Sequence, residues 1–317
     1  MTCIRCQHQT CKRFGCFGKR RIQRWRCNSC KATFCEPQPT SPLGAMRTSP
    51  DAAARALQCL LEGCSIRAAE RLTGLNRNTI MRLLVLAGER CEKLMDREMR
   101  ELPCRRIQCD EIWTFLMKKA RHVRKDDPVE FGDQWVFIAL DADTKLIPAF
   151  LVGKRSSANT QAFMRDVWSR IADHRVQLTT DAYIFYRKAV EESFGGDADF
   201  AQLTKLYGDY GQHGNERYSP GTITEVISRV RSGNPDPKHI STSYVERSNL
   251  TIRMQLRRFT RLTNAFSRKI ENLRAAVNLH FAYYNFCRVH TSLRVTPAME
   301  AGLTNHVWAI RELLESI

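Results

Sequence analysis

The spacing of apolar residues changes character along the chain, and the changes divide it. The first 36 residues offer hardly any hydrophobic core. Glu36 to Gly44 then holds three prolines and several turn formers, which can continue neither a helix nor a central strand, so the stretch reads as a linker. Beyond it the period is helical. Asp51 is placed to cap a helix that runs through Ala-rich sequence to Glu62 and is stopped by Gly63. Ser65 opens a second short helix, Ile66 to Leu72, and Thr73-Gly74-Leu75 makes a tight turn. Asn76 is placed to cap a third helix with Ile80, Leu83, Leu84 and Ala87 on one stripe. Short helix, glycine turn and capped helix form the pattern of a helix-turn-helix. Gly88 to Arg100 alternates charges of both signs and reads as a solvated connecting helix, ended by Pro103.

From Arg106 the pattern becomes strand-like. Arg106 to Leu116 is rich in apolar and aromatic residues, and a basic, polar insertion from Lys118 to Asp133 separates it from Trp135 to Leu140. That second strand turns at Asp141 to Lys145 into Leu146 to Val152, where Pro148 argues for a sheet edge. A helix from Thr160 to Ala172 buries Phe163, Val167, Trp168 and Ile171, and leads into the short strand Val176 to Asp181. Three strands, a helix and a fourth strand is the chain order of a ribonuclease-H-like sheet, in which the first and fourth strands are neighbours. Residues 191–242 are polar, with glycines and prolines, and read as an insertion or loop at the site.

That order would bring Asp110, inside the first strand, beside Asp181, at the end of the fourth. A carboxylate within an apolar run is costly unless something neutralises it. Two adjacent carboxylates repel unless metal ions sit between them, and hard oxygen ligands suit Mg2+ or Mn2+. A third acid comes from a helix beginning at Tyr244, with Ser243 placed to cap it, whose buried stripe is Val245, Ile252, Leu256 and Phe259. Glu246 and Arg253 lie two turns apart on a neighbouring face, a carboxylate to complete the metal site and a cation to hold a DNA strand. Glu111, Asp141 and Asp143 are the nearest substitutes in this acid set, but Glu111 is expected on the opposite face from Asp110, and Asp141 and Asp143 are expected to shape the hairpin turn. Trp113 and His280 read as packed residues.

Charge and cysteine usage narrow the partners. The chain of 317 residues carries a net charge of +17, a field that concentrates polyanions. Between Arg247 and Arg274 there are eight Lys or Arg against Glu271 alone. Arg77, Asn78 and Arg82 fall off the apolar stripe of the third helix and can reach base edges or phosphates. With Arg247, Asn249, Arg253, Arg257 and Arg258 they are the candidate DNA contacts. Cys3-x2-Cys6 and Cys27-x2-Cys30 stand in a stretch with nine Lys or Arg against one acid through Glu36. Two matched knuckles bring four thiolates to one structural Zn2+, whose binding would supply most of the folding free energy there. Cys11, Cys16, Cys35 and His8 lie in the same stretch and remain alternative ligands. The 13 cysteines are an odd count without a signal peptide, so a secretory disulfide framework is not expected. No apolar run approaches the ~18 residues of a membrane span, and the expected compartment is reducing cytoplasm, with the protein on the nucleoid.

The order Cys-x2-Cys, Cys-x2-Cys, helix-turn-helix, Asp110-Glu-Ile-Trp113, Thr180-Asp-Ala-Tyr183 and Tyr244-Val-Glu-Arg-Ser-Asn249 resembles the transposases of the insertion sequence one family over nearly the whole chain. The tail Tyr284-Asn-Phe-Cys-Arg-Val-His290, with Leu293 and Thr296-Pro297, is similar to the ending of many integrase-like transposases. The resemblance implies a DDE recombinase in which Asp110, Asp181 and Glu246 hold two Mg2+ or Mn2+ ions, cut a strand at each element end and join the 3'-hydroxyl to target DNA. It implies double-stranded DNA partners, the transposon ends and the target, and a homodimer or higher synaptic oligomer. The rival functions are a domesticated DNA-binding regulator and a structure-selective nuclease on the same fold.

The expected architecture is therefore multidomain α+β. It comprises a zinc ribbon at 1–36, a linker at 37–50 and a helix-turn-helix with connecting helix at 51–100. A ribonuclease-H-like α/β domain with a mixed five-stranded sheet follows at 101–300, with its insertion near 191–242, and a helical tail at 301–317.

Overall fold

Apolar strands flanked by amphipathic helices leave a chain of this kind one economical solution, a sheet covered by helices on both faces. The computed structural model describes residues 1–18, 21–36, 43, 44, 46–172, 175–208, 223–261 and 263–315. Half of the expected linker, 37–42 and 45, and the centre of the expected insertion, 209–222, lie outside the described residues. The chain forms two compact units, Met1–Met46 and Arg47–Ile317.

The first unit is a three-stranded antiparallel sheet of β1 (Cys11–Phe17), β2 (Ile22–Cys27) and β3 (Thr33–Cys35), in that order. Among the described residues its hydrophobic core cluster is Cys3, Cys27 and Phe34, with Cys11 and Trp25 packed against it. So little apolar burial cannot by itself offset the ordering of the chain.

In the second unit, α1 (Pro50–Leu61) is capped by Ser49, whose Oγ accepts from Ala52 N at 3.3 Å, rather than by Asp51. Pro50 supplies the reason: proline suits the first helical position, which moves the cap one residue upstream and leaves Asp51 in the first turn. Ser65 caps α2 (Ile66–Thr73), which ends on Gly74 at φ 70°, a left-handed conformation open to glycine. Asn76 caps α3 (Arg77–Glu98), a single 22-residue helix where a helix and a separate connector were expected. The apolar stripe continues beneath the alternating charges through Cys91, Leu94 and Met95. Gly88 lies where α3 crosses α7 (Ile270–Ala282), its backbone against Ala275.

The central sheet has six strands, not five. These are β4 (Arg106–Leu116), β5 (Gly132–Asp141), β6 (Phe150–Gly153), β7 (Val176–Asp181), β8 (Ala198–Tyr207) and β9 (Ile223–Ser232). Their order is β6-β5-β4-β7-β8-β9; β4, β7 and β8 are parallel, and the remaining pairs are antiparallel. The first and fourth strands are adjacent, as expected. The polar stretch 191–242 thus contributes two strands rather than a loop alone; β8 is buried at its start, while β9 is an exposed edge strand without the alternation of a half-buried one.

The third strand is shorter than expected, because Leu146 to Ala149 is buried without joining the ladder. Pro148 breaks the donor pattern there, and buried Asn285 replaces a strand partner, its Oδ1 accepting from Ile147 N at 3.1 Å and its Nδ2 donating to Ile147 O at 3.0 Å. Two helices, α4 (Ser157–Arg170) and α5 (Phe185–Phe194), cover one face of the sheet, with Phe163 against Phe137. Helix α6 (Ser243–Gln255) and α7 cover the other, with Phe281 against Phe150. Two short helices, α8 (Pro297–Glu300) and α9 (Ile310–Glu315), close the chain, α9 packing on α1 and α3. Among the described residues no helix is long and apolar enough to cross a membrane.

Candidate functional site

The parallel ladder between β4 and β7 ends at the pair Cys109 and Thr180. The next residue on each strand is an acid, Asp110 and Asp181, so strand register alone sets two carboxylates side by side. Strand alternation sends Asp110 toward α6, where Asn249 Nδ2 donates to its Oδ2 at 2.8 Å. Helix α6 is fixed in turn by Gln108, whose Oε1 accepts from Tyr244 N at 2.9 Å and Val245 N at 3.2 Å. The helix lacks a side-chain cap of its own: Thr242, not Ser243, is the N-cap residue, and its hydroxyl donates to Glu246 instead. Gln108 thus ties the start of α6 to the strand that carries Asp110.

Glu111 faces the opposite helical layer, as alternation requires, yet it belongs to the cluster. One oxygen each from Asp110, Glu111 and Asp181 lie within 4.8 Å of one another. The longer glutamate side chain explains how it reaches around the strand. Its carboxylate is only 1% exposed, and Arg155 meets its Oε2 at 2.9 Å and Asp181 Oδ2 at 3.3 Å. The Arg155 guanidinium is held between Tyr183 and Trp135, 3.9 and 4.9 Å from the ring centroids. Asp181 Oδ1 also accepts from Tyr183 N at 3.0 Å.

Electrostatics mark the cluster as short of positive charge. Burial, and then the charge of Asp181, push Asp110 up to about 7. The same causes push Glu111 up to about 8 against the opposing pull of Tyr186 and Arg155, and burial also raises Asp181. Glu111 Oε1 and the Tyr186 hydroxyl are buried side-chain atoms without a hydrogen-bond partner, although Tyr186 lies near enough to temper the Glu111 shift. Three carboxylates with an orphaned buried oxygen and raised pKa values are a donor set suited to a hard divalent cation.

Glu246 is not drawn into that cluster. Its Oε1 is held by Lys205 Nζ at 2.5 Å and Thr242 Oγ1 at 2.7 Å, and its side chain is 42% exposed. It is close enough for its charge to raise Asp110. Sequence reasoning set Glu111 aside and did not mark Gln108, Arg155 or Lys205; a basic residue soon after an edge strand carries no motif that would have flagged Arg155.

In the first unit the four expected ligands, Cys3, Cys6, Cys27 and Cys30, place their sulfurs within 4.8 Å of one another. Cys3 to Cys30 and Cys6 to Cys27 are each 3.6 Å apart. A tetrahedron with metal–sulfur bonds of about 2.3 Å has edges of about 3.8 Å, so the cluster fits Zn2+. Burial would raise the Cys27 thiol, but the backbone N–H groups of Cys30 and Ser29, together with the Cys6 and Cys30 thiols, outweigh it and draw the thiol down to about 6. Cys11, Cys16, Cys35 and His8 are not in this group. On the surface of the same unit, Arg24 and Arg26 lie over Phe14, and Arg13 over Trp25.

The expected DNA contacts divide. Arg77, Asn78 and Arg82 on α3, and Arg247 and Arg257, are exposed. Asn249 is occupied in holding Asp110, Arg253 donates to Phe259 O at 3.3 Å, and Arg258 donates to Ser267 Oγ at 2.8 Å. Trp113 is half-buried and joined through Phe115 to Phe266, while His280 is buried, and burial takes it down to about 3.

No family model and no curated protein matches the chain. Among solved structures it is similar to a piggyBac transposase synaptic complex with hairpin DNA, at 8% identity, 88% of this chain, 72% of that chain and a TM-score of 0.36. It is similar to the Mos1 mariner paired end complex with Mn at 11% identity, 89% of this chain, 78% of that chain and a TM-score of 0.29. For the Mos1 transposase paired-end complex with left transposon end the values are 13%, 52%, 60% and 0.20, so the match spans about three-fifths of that protein's length.

Proposed function

We propose that the chain is a DDE transposase of the insertion sequence one type, built as a zinc ribbon, a helix-turn-helix and a ribonuclease-H-like catalytic domain. The observation that carries the reading is the placement of Asp110 and Asp181 at the end of the β4–β7 ladder, with further acids beside them, in a chain of net charge +17. Asp110 and Asp181 are the proposed metal ligands, and Glu246 the third. Glu111 is the alternative third ligand, favoured by its oxygen already lying in the cluster. Divalent ions bound there would activate an attacking water or 3'-hydroxyl and stabilise the leaving oxygen of a phosphodiester.

The chain's own residues supply the remainder. Asn249 and Gln108 hold Asp110 and α6 in fixed relation. Arg155 orients Asp181 and balances the charge of Glu111. Lys205 keeps Glu246 beside the cluster, half exposed and free to exchange its partner for a metal ion. Arg77, Asn78 and Arg82, with Arg247 and Arg257, are proposed to grip DNA phosphates and bases, addressed to the element ends with the help of the zinc unit. Two ends must be held together, so the working form is a dimer or larger assembly on DNA.

The test is product analysis on a duplex carrying the inverted repeats that bound the gene. The proposal expects Mg2+-dependent cuts that leave 3'-hydroxyl ends and then joined products. Cuts on branched substrates without joining would favour a nuclease, and binding without cuts a regulator.

A further inference from the structure

A second site sits apart from the acid cluster and shares no residue with it. A cavity of about 610 Å3 opens among α1, α2, α3, α7 and the segment after α6. Its wall is apolar, with half-buried Ile66, Met81 and Phe266 over buried Leu60, Leu84 and Leu279, while Arg67, Arg257, Arg258 and Arg268 also line it and no acid does. Among the described residues no carboxylate pairs with any of these four arginines. Arg258 is the informative one. Its Nε is taken by Ser267, and among the described residues its Nη2 meets Met81 Sδ at 4.0 Å, a poor acceptor. Burial without a counter-charge pulls it down to about 10. A half-buried guanidinium left without a counter-charge is costly unless an anion arrives to meet it.

The first turn of α2 adds a second, independent attraction for an anion. Ser65, Ile66 and Arg67 line the same cavity, and the N–H groups at a helix start point outward toward negative charge. Inorganic phosphate would satisfy these donors but leave the apolar lining of Ile66, Met81 and Phe266 in water. A fatty acid would cover the wall but needs one cation rather than four. A phosphate attached to a flat, weakly polar ring satisfies both, and the volume lies within the range of small-molecule sites.

We propose that this cavity is a nucleotide site, taking a base against Ile66, Met81 and Phe266 and its phosphate on Arg258 and the first turn of α2. The source of the nucleotide, one residue of a bound DNA strand, rests on the function proposed above; the chemistry of the site does not.

The experiment uses the full-length protein and a fluorescent mononucleotide, 1,N6-etheno-deoxyadenosine 5'-monophosphate, read by anisotropy. Saturable binding is expected, weakened at least about tenfold by Arg258→Met, which removes the charge. Ala265→Trp, on the half-buried loop that lines the cavity, should weaken it equally by filling the space, and it keeps the test decisive if the Arg258 variant folds poorly. Inorganic phosphate should compete at least about tenfold more weakly than the nucleotide. Competition by a short single strand assigns the source to DNA, and its failure assigns the site to free nucleotides. No saturable binding, binding indifferent to both variants, or phosphate competing as well as the nucleotide overturns the proposal. Mg2+-dependent cleavage by the same preparations reports on the acid cluster separately, since no cavity residue belongs to it.

Discussion

Lys205 Nζ lies 2.5 Å from Glu246 Oε1, so the acid expected to complete the metal site is held instead by a lysine from the neighbouring strand β8. A carboxylate that is partly exposed and paired with one flexible cation changes partner at small cost. Replacing Lys205 with Met removes the competing charge. The half-saturating concentration of Mn2+ or Ca2+, read by calorimetry without DNA, should fall by about two- to fivefold. An unchanged value would move the third ligand from Glu246 to Glu111.

The raised acids give the metal-free protein a definite pH dependence. Asp110 and Glu111 stand at about 7 and about 8 in the fold, against ordinary values of 3.8 and 4.5. The fold therefore favours their protonated forms. Their contribution to stability is complete below about pH 4 and is lost as pH rises through 7 to 8. In chelator, the melting temperature should decline over that range, and less steeply in an Asp110→Asn, Glu111→Gln double variant. Added Mg2+ should restore stability most at the high end, with protons released on binding near neutral pH.

The zinc unit should melt on its own. With a core cluster of Cys3, Cys27 and Phe34 among the described residues, removal of the metal is expected to expose the four ligand thiols to a thiol reagent and unfold the first unit. The second unit should keep its cooperative transition. Cys27→Ser should give the same result at saturating zinc, whereas Cys16→Ser, at an exposed position outside the cluster, should not.

Gly88 tests the crossing of α3 and α7. A Cβ there would run into the backbone of Ala275, so Gly88→Ala must push the helices apart. Despite the helix propensity gained, a loss of about 1–3 kcal/mol in urea unfolding is expected. Gly196→Ala, with open space around the added methyl, serves as the neutral comparison.

Much of this architecture is legible in the residues, and its omissions have physical causes. Ser65, Asn76 and Gly74 announce α2 and α3 because capping and left-handed turns depend on local chemistry. Asp110 and Asp181 are legible because one interrupts an apolar strand and the other ends one, both points where a carboxylate is otherwise unwelcome. Strand β9 is not, since an edge strand exposed along nearly its whole length shows no buried face to its own sequence. Glu111 was hidden by a correct premise: alternation does send it to the other face, but side-chain length decides where its oxygens end. Asn285 shows the same limit from another side, for its buried bonds to Ile147 depend on a contact 138 residues away in sequence.

The central claim is that Asp110 and Asp181 form a divalent-metal site that cuts DNA. The direct measurement is Mg2+-dependent strand cleavage by the wild type, Asp110→Asn, Asp181→Asn and Glu246→Gln, with DNA affinity measured alongside. Each variant should lose cleavage by about a hundredfold or more while binding DNA within about twofold of the wild type. Wild-type cleavage by either aspartate variant would contradict the account.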